Sequence, residues 1–367
     1  MKMYFVVILV VFILCPNLFA NPILDSFIQD VINESDGFSF GEAWKYDANS
    51  LVAVVPIVRR GSAARKYMLL KEAEKIKISD SGIIDNLHIE NGEELPLYIR
   101  IGELFAGKTQ ERTAIRSVII PVEEGVSVGV RCVNRSKGIV PNSPMTFGGF
   151  APMVLDGVLC SGVDSVVSQR DVWTTVSDVG ISTAAPDTNV HVVDVPNGGG
   201  IPDYSFSVTD SNNLDLVSEW QVLSAPSNND DLKKTLDTLG TVLEDVIASV
   251  PLFADQVGIV LLDMDGVVAI EIYDSSESWA AIGRDILKKD AVTIAKKQRE
   301  TIFDIVGVRQ AVAIDCTKKV LSAEYTETKV YSTKQYTVLK LITDRYVGEV
   351  TMLGDTVIHL FVVRIAE

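Results

Sequence analysis

Histidine is nearly absent from this chain of 367 residues, and its three copies, His88, His191 and His359, are far apart. His88 and His359 fall in strand-like runs, and none has a neighbour at ligand spacing, so no metal framework is expected. Cofactor motifs are likewise lacking, and no Gly-x-Ser-x-Gly elbow is present. Cysteine is scarce, at four. Basic charge is in deficit, 33 Lys and Arg against 49 Asp and Glu, for a net charge of −16. Such a surface repels phosphate backbones, so nucleic acid is an unlikely partner, and acidity favours solubility. After residue 20 no apolar run is long enough to cross a bilayer, which takes about 20 residues.

The first twenty residues differ from the rest. Lys2 is followed by an apolar run from Tyr4 to Leu14, a break at Pro16 and Asn17, and then Leu18, Phe19 and Ala20. Charge, apolar stretch and small-residue site together read as a signal peptide, 1–20. The expectation is a secreted or cell-envelope protein with no membrane span after cleavage. Three cysteines would remain. Export permits a disulfide, and Cys132 with Cys160 is the short-range pair; Cys316 would stay a thiol. Two sequons, at Asn33 and Asn134, matter only in a host that glycosylates.

Along the chain, residues 23–33 have helical spacing. From Leu51 short strand patterns follow: LVAVVPIV, KIKIS, NLHIE, LPLYIRI, SVIIPV and VSVGVRCV, punctuated by Asp80-Ser81-Gly82 and Asn91-Gly92. They predict a β-rich region, 21–176, built as a sandwich or barrel-like sheet. Residues 177–229, rich in Ser, Asn, Gly and Pro, read as an insertion or linker. Residues 230–367 read as an α+β part, packed with the first as one unit. It has an amphipathic helix from Asp230 to Val250 and another from Glu277 to about Arg299. It also contains a repeat: QVGIVLLDMDGVVAIEIY from Gln256 aligns with YVGEVTMLGDTVIHLFVV from Tyr346, each a strand, a tight turn and a strand. The fold class expected is therefore α+β.

One stretch draws attention for chemistry. Gly102 to Thr109 fits the phosphate-loop expression GxxxxGK[ST] literally. Only residues 110–117 separate it from the next strand, too few for the crossover helix that such a loop requires. The alternative is a ligand-contacting loop. Glu103, Gln110 and Arg112 bring a carboxylate, an amide and a guanidinium to one turn, with Gly107 and Lys108 beside them. In that reading Glu103 is the candidate general base and the other four contact the ligand. A salt bridge from Arg112 that merely fixes a loop is the competing reading. Trp173, Trp220 and Trp279 are read as packing residues rather than a sugar platform.

The same residues carry a family resemblance. The segment GELFAGKTQER, 102–112, is similar to the signature GEELVGAKQNR of a domain family. That family is named for its association with ADP-ribosylglycohydrolases and rhodanese-phosphatases. Glu103, Gly107, Gln110 and Arg112 fall on signature positions; Thr109 stands for the family's lysine and Glu111 for its asparagine. LVAVVPIV, YMLLKEAEKIKI, LHIENGEELPLYIR and SVIIPVEEGVSVGVRCVNR resemble the flanking segments, with Asn134 where the family has an acid. The likeness resumes at the repeated hairpins. It implies one β-rich α+β unit and a setting of ADP-ribose and phosphoester processing, without a fixed activity. Three functional readings follow: a secreted binding or interaction protein for an unknown small molecule or protein, a hydrolase on a nucleotide-derived or phosphorylated small molecule, and a structural surface component.

Overall fold

The computed structural model describes residues 21–45, 53–133, 138–151, 153–161, 167–176, 250, 252–263, 265–300, 310–333 and 335–365. The export segment, the 177–229 stretch, nearly all of the 230–250 helix and the Asn134 sequon lie outside the described residues.

Helix α1 (Pro22–Asn33) starts where the Asn21 side chain accepts from the amides of Ile23 and Leu24, with Pro22 in the first turn. It buries Leu24, Phe27, Ile28 and Val31. Strands β1 (Phe38–Phe40), β2 (Trp44–Lys45) and β3 (Ala53–Arg59) follow, and the chain then leaves this layer. The excursion contains β4 (Met68–Leu69), a 3-10 turn, β5 (Ile76–Asp80), β6 (Asn86–Asn91), β7 (Leu97–Ile99), β8 (Glu103–Gly107), β9 (Arg112–Ala114), β10 (Val118–Ile120), β11 (Gly125–Cys132) and β12 (Pro144–Phe150). Helices α2 (Met153–Ser161) and α3 (Gln169–Val176) end it. The chain returns as β13 (Gln256–Asp263), β14 (Gly266–Tyr273), α4 (Ser276–Glu300), α5 (Gln310–Leu321), β15 (Thr326–Ser332), β16 (Tyr336–Ile342), β17 (Tyr346–Leu353) and β18 (Thr356–Arg364).

The barrel-like expectation holds. β11, β6, β5, β12, β8 and β9 close a six-stranded barrel, filled by Ile78, Leu87, Ile89, Phe105, Ala114, Val128, Val130 and Met145. Beside it β10, β7 and β4 make a small sheet. The α+β expectation holds too, with one difference in boundaries. β1, β2 and β3 belong to the sheet of the C-terminal strands, in the order β1-β3-β13-β14-β18-β17-β16-β15. The barrel is thus inserted between two paired strands, β3 and β13, and a division near residue 176 does not follow the architecture.

The hairpin repeat is a property of the fold and extends beyond the hairpins. β14 pairs with β18 so that Glu271 sits opposite Phe361, its own equivalent ninety positions on. A two-fold axis relating the repeats therefore passes between these two residues. The bulge at Leu261/Leu262 recurs at Thr351/Met352. In one repeat α1, β1 and β3 precede the hairpin; in the other, α5, β15 and β16 do. Both helices lie on one face, where Leu24 and Ile28 join Ala313 and Leu321 over Val260, Ile270, Val350 and Leu360.

Gly258 and Gly348 mark the same spot in each repeat. A Cβ on Gly258 would stand 2.1 Å from the carbonyl oxygen of Glu271, and one on Gly348 2.2 Å from that of Phe361. Both contacts are with backbone, so alanine forces the strands apart at either place. Gly258→Ala and Gly348→Ala are each expected to cost about 1–3 kcal/mol, by similar amounts. Urea denaturation midpoints check this, and a harmless substitution at one site alone would break the equivalence.

Candidate functional site

The signature hairpin is where the structure tests the loop reading. β8 and β9 are antiparallel, with Phe105 opposite Arg112, and no helix follows, so the segment cannot cradle phosphates as a P-loop does. Arg112 is fully buried. Its Nη2 donates to Asp80 Oδ2 at 2.7 Å, and its Nη1 to the carbonyls of Ile83 and Asn86 at 3.0 and 3.1 Å. Burial lowers its pKa, and the facing Asp80 opposes that. Thr109 Oγ1 donates to the same Asp80 oxygen and accepts from Val140 N. Asp80 Oδ1 takes the amide of Gly82, which needs its positive φ of 78° for the turn.

The five expected site residues are therefore divided. Arg112 is engaged with Asp80, Gln110 is buried, Gly107 is half-buried, Lys108 is exposed, and Glu103 starts β8 at the other end of the hairpin. They do not gather on one concave partner. Glu103 and Arg112 stand at opposite ends of the hairpin, and the closing of the barrel, which the spacing does not show, brings Asp80 to Arg112. The expected disulfide is absent as well. Cys132 and Cys160 are not joined to each other; Cys132 ends a barrel strand opposite Arg112, while Cys160 is on α2 in the core against the large sheet. Burial pushes the Cys160 thiol well up.

A second polar centre lies where the inserted part meets the nine-stranded sheet. In one row across the sheet Lys340, Glu349, Phe361 and Glu271 are register partners. In the next row stand Thr351, His359 and Tyr273. From the insertion, Arg100 lays Nε and Nη2 on the two carboxylate oxygens of Glu271 at 2.8 and 3.1 Å, and Nη2 on Asp156 Oδ2 at 2.9 Å. Lys289 of α4 reaches the same two carboxylates at 2.6 and 3.1 Å. The Arg100 guanidinium also lies 4.7 Å from the Phe361 ring centroid. Two cations thus face two carboxylates, all buried.

Around this core the hydrogen bonds continue. Tyr98 Oη meets His359 Nδ1 at 2.8 Å, His359 Nε2 meets Glu271 Oε1 at 3.3 Å, and Tyr273 Oη donates to that oxygen at 3.2 Å. Ser117 N donates to Glu349 Oε1 at 3.0 Å. Burial alone would raise the Glu271 carboxyl, but Arg100 and Lys289 outweigh it and hold it well below the usual range. Burial lowers His359 to about 4 against the pull of Glu271, so the imidazole is neutral. Burial raises Glu349, against its Ser117 bonds. Glu103 is pushed up to about 8 by burial, opposed by the Arg100 amide and charge, and its Oε2 has no hydrogen-bond partner. Next to it Gly102 lies so close to Asp156 that a Cβ would stand 2.1 Å from Oδ1.

The residue-level reading missed this centre. Its signal is the charge inside runs otherwise apolar on both faces: Glu271 in VVAIEIY, Lys340 in TVLKLI, Glu349 in YVGEVTML. A charge there has no solvent face and must find a counter-charge. Among the described residues no group of three His, Cys, Asp or Glu is placed to hold a metal ion. No helix among them is long and apolar enough to cross a membrane.

No curated protein and no solved structure matches the chain. A family model matches residues 37–363, which takes in both the barrel and the duplicated sheet. By that match the chain belongs to the family of the ARG and Rhodanese-Phosphatase-superfamily-associated Protein domain.

Proposed function

We propose that the chain is a secreted binding or interaction protein whose barrel mouth meets the partner. The observation that carries this is the work of the signature residues. Thr109 and Arg112, through Asp80, hold two loops, 81–85 and 138–143, by backbone bonds. The loops touch, for Pro141 lies 3.3 Å from where a Cβ on Gly82 would be. Among their exposed side chains are three large apolar ones, Ile83 at 56 % exposed, Val140 at 48 % and Ile139 at 36 %, beside the exposed Ser81, Asp85 and Asn142. Buried polar groups supporting an exposed apolar tip are the anatomy of a recognition surface, with a rigid base and a dehydrating contact. The partner is a protein or small molecule that offers apolar surface; the chain's negative charge disfavours nucleic acid.

A photoreactive side chain at Ile83 tests the reading on protein secreted by its own host. Crosslinks to one partner are expected from position 83 and not from Val312, which is equally exposed on α5. Equal labelling from both positions would remove the barrel mouth from consideration.

One observation favours a hydrolase as the second reading. A Glu103 carboxyl at about 8 keeps its proton at neutral pH, which suits a general acid and not the general base expected from the sequence. Its complete burial and the engagement of Arg112 with Asp80 weigh against it. Loss of turnover of a nucleotide-derived or phosphorylated compound in Glu103→Gln, with binding kept, would favour the enzyme.

A further inference from the structure

The two ends of the nine-stranded sheet are finished differently. At one end β1 and β2 share the edge of β3 as separate pieces, of three and two residues. Between them the Gly41 amide donates to the carbonyl of Pro56, so no single long strand is offered there. Short, interrupted edges are a way of refusing a further strand. At the other end β15 is continuous over seven residues. It pairs with β16 on one side, and among the described residues no strand pairs with the other. By the two-fold relation of the repeats β15 is the counterpart of β1, so the same place in the fold is broken up in one repeat and left whole in the other.

The strand also stands clear of the layers beside it. Leu339 and Leu341, the register partners of Lys329 and Glu327, are buried in the core under α1 and α5. On β15 itself Thr326, Thr328 and Lys329 are exposed and Glu327 is half-buried. Opposite residues of a ladder share a face, so Glu327 and Lys329 stand on the α1 and α5 side of the sheet and Thr328 on the other. A strand that pairs with its own copy about a two-fold axis has few registers open to it. Only residues of like phase face each other in an antiparallel ladder, so the axis must pass through a residue. An axis through Glu327 sets two carboxylates together, and one through Lys329 two ammonium groups; like charges directly opposite are unfavourable. An axis through Thr326 gives Lys329 a partner that precedes the strand. An axis through Thr328 sets Glu327 of each copy opposite Lys329 of the other, and Thr328 opposite itself, all favourable pairs. The bulge in β15 follows Lys329, just outside these positions.

We propose that the chain forms a two-fold dimer by adding β15 to β15 of a second copy, centred on Thr328, so that the two large sheets run into one. The charge pattern commits this edge to a second copy rather than to a foreign strand, because the run Glu327-Thr328-Lys329 is complementary to itself when reversed. The contact is short, which places the dimer in the transient, concentration-dependent class. It uses none of the residues of the barrel mouth, and the two surfaces stand or fall separately.

Sedimentation velocity of the full chain over a wide range of concentration tests the dimer, and a monomer–dimer equilibrium is expected. Glu327→Lys and Lys329→Glu each set like charges opposite one another at two positions, and each is expected to weaken association about tenfold. An equimolar mixture of these two variants is expected to regain the original affinity, because opposite charges then meet at both positions. The double variant, Glu327→Lys with Lys329→Glu, is expected to dimerise as the original does. A chain that stays monomeric up to its solubility limit overturns the proposal. So does a dimer indifferent to both single variants, or a mixture no tighter than its components, because either result puts the axis elsewhere.

Discussion

Arg100→Met is expected to destabilise the protein by about 3–5 kcal/mol, the penalty for breaking a buried ion pair from one side. Methionine fills much of the volume of the arginine stem, so the loss is electrostatic rather than a cavity. Glu271 would keep Lys289, Tyr273 and His359, and Asp156 would keep Lys289. Yet one cation would then face two buried carboxylates. Against a total stability of about 5–15 kcal/mol for a domain, the loss is a large fraction of the whole. Adding Glu271→Gln to Arg100→Met is expected to restore part of it, since the charge count is balanced again. Guanidinium unfolding of the two single variants and the double variant measures the coupling. A loss under about 1 kcal/mol for Arg100→Met would mean that the carboxylates take up protons instead of bearing the charge.

The second large effect is expected at the barrel mouth. Arg112→Met removes the cationic partner of Asp80 and the guanidinium bonds to the carbonyls of Ile83 and Asn86, which keep only the Ser81 hydroxyl and, for Ile83, the Asn86 amide. Asp80 retains Thr109 and the Gly82 amide, so the expected cost is about 3 kcal/mol, near the lower end for a stranded buried charge. Asp80→Asn combined with Arg112→Met is expected to recover a portion of it. Because the bonds lost are those that anchor loop 81–85, the loop should gain proteolytic sensitivity in Arg112→Met. Arg112→Lys should not repair it, as one ammonium cannot span a carboxylate and two carbonyls in the fixed fork of a guanidinium. If the lysine variant is as stable as the original, Arg112 acts as a charge alone and its geometry is dispensable.

How much of this could be read from residues varies with the range of the interactions. The hairpins at Gln256 and Tyr346 were legible because alternation and turn chemistry are local, and α4 and α1 because their apolar spacing is local too. Several barrel strands, such as KIKIS and NLHIE, show clear alternation. β8, β9 and β12 are harder to see: their residues are buried for reasons of closure, and Gly148 and Gly149 in β12 lack β-forming side chains. The pairing of β3 with β13 could not be foreseen, since nothing in AVVPIVR names a partner that comes after residue 250. At the site, the spacing of Glu103, Gln110 and Arg112 showed that polar groups were concentrated there. It could not show that Asp80, 32 residues earlier at the end of β5, already claims the arginine. The disulfide expectation failed for a related reason, because sequence distance between Cys132 and Cys160 says nothing of which layer each thiol enters.

The placement of the barrel within the first repeat also bears on how the chain assembles. The second repeat, α5 through β18, is contiguous, so its strands meet across short turns. In the first repeat β3 must find β13 with residues 60–255 lying between them, a long loop to close before any ladder bond is gained. As the ribosome delivers the chain, Val54, Val55 and Ile57 emerge early, with the strand that will cover them still far from being made. The two halves, alike in architecture, therefore differ in timing: the later-made half is complete on its own, and the earlier-made half waits for it as a template.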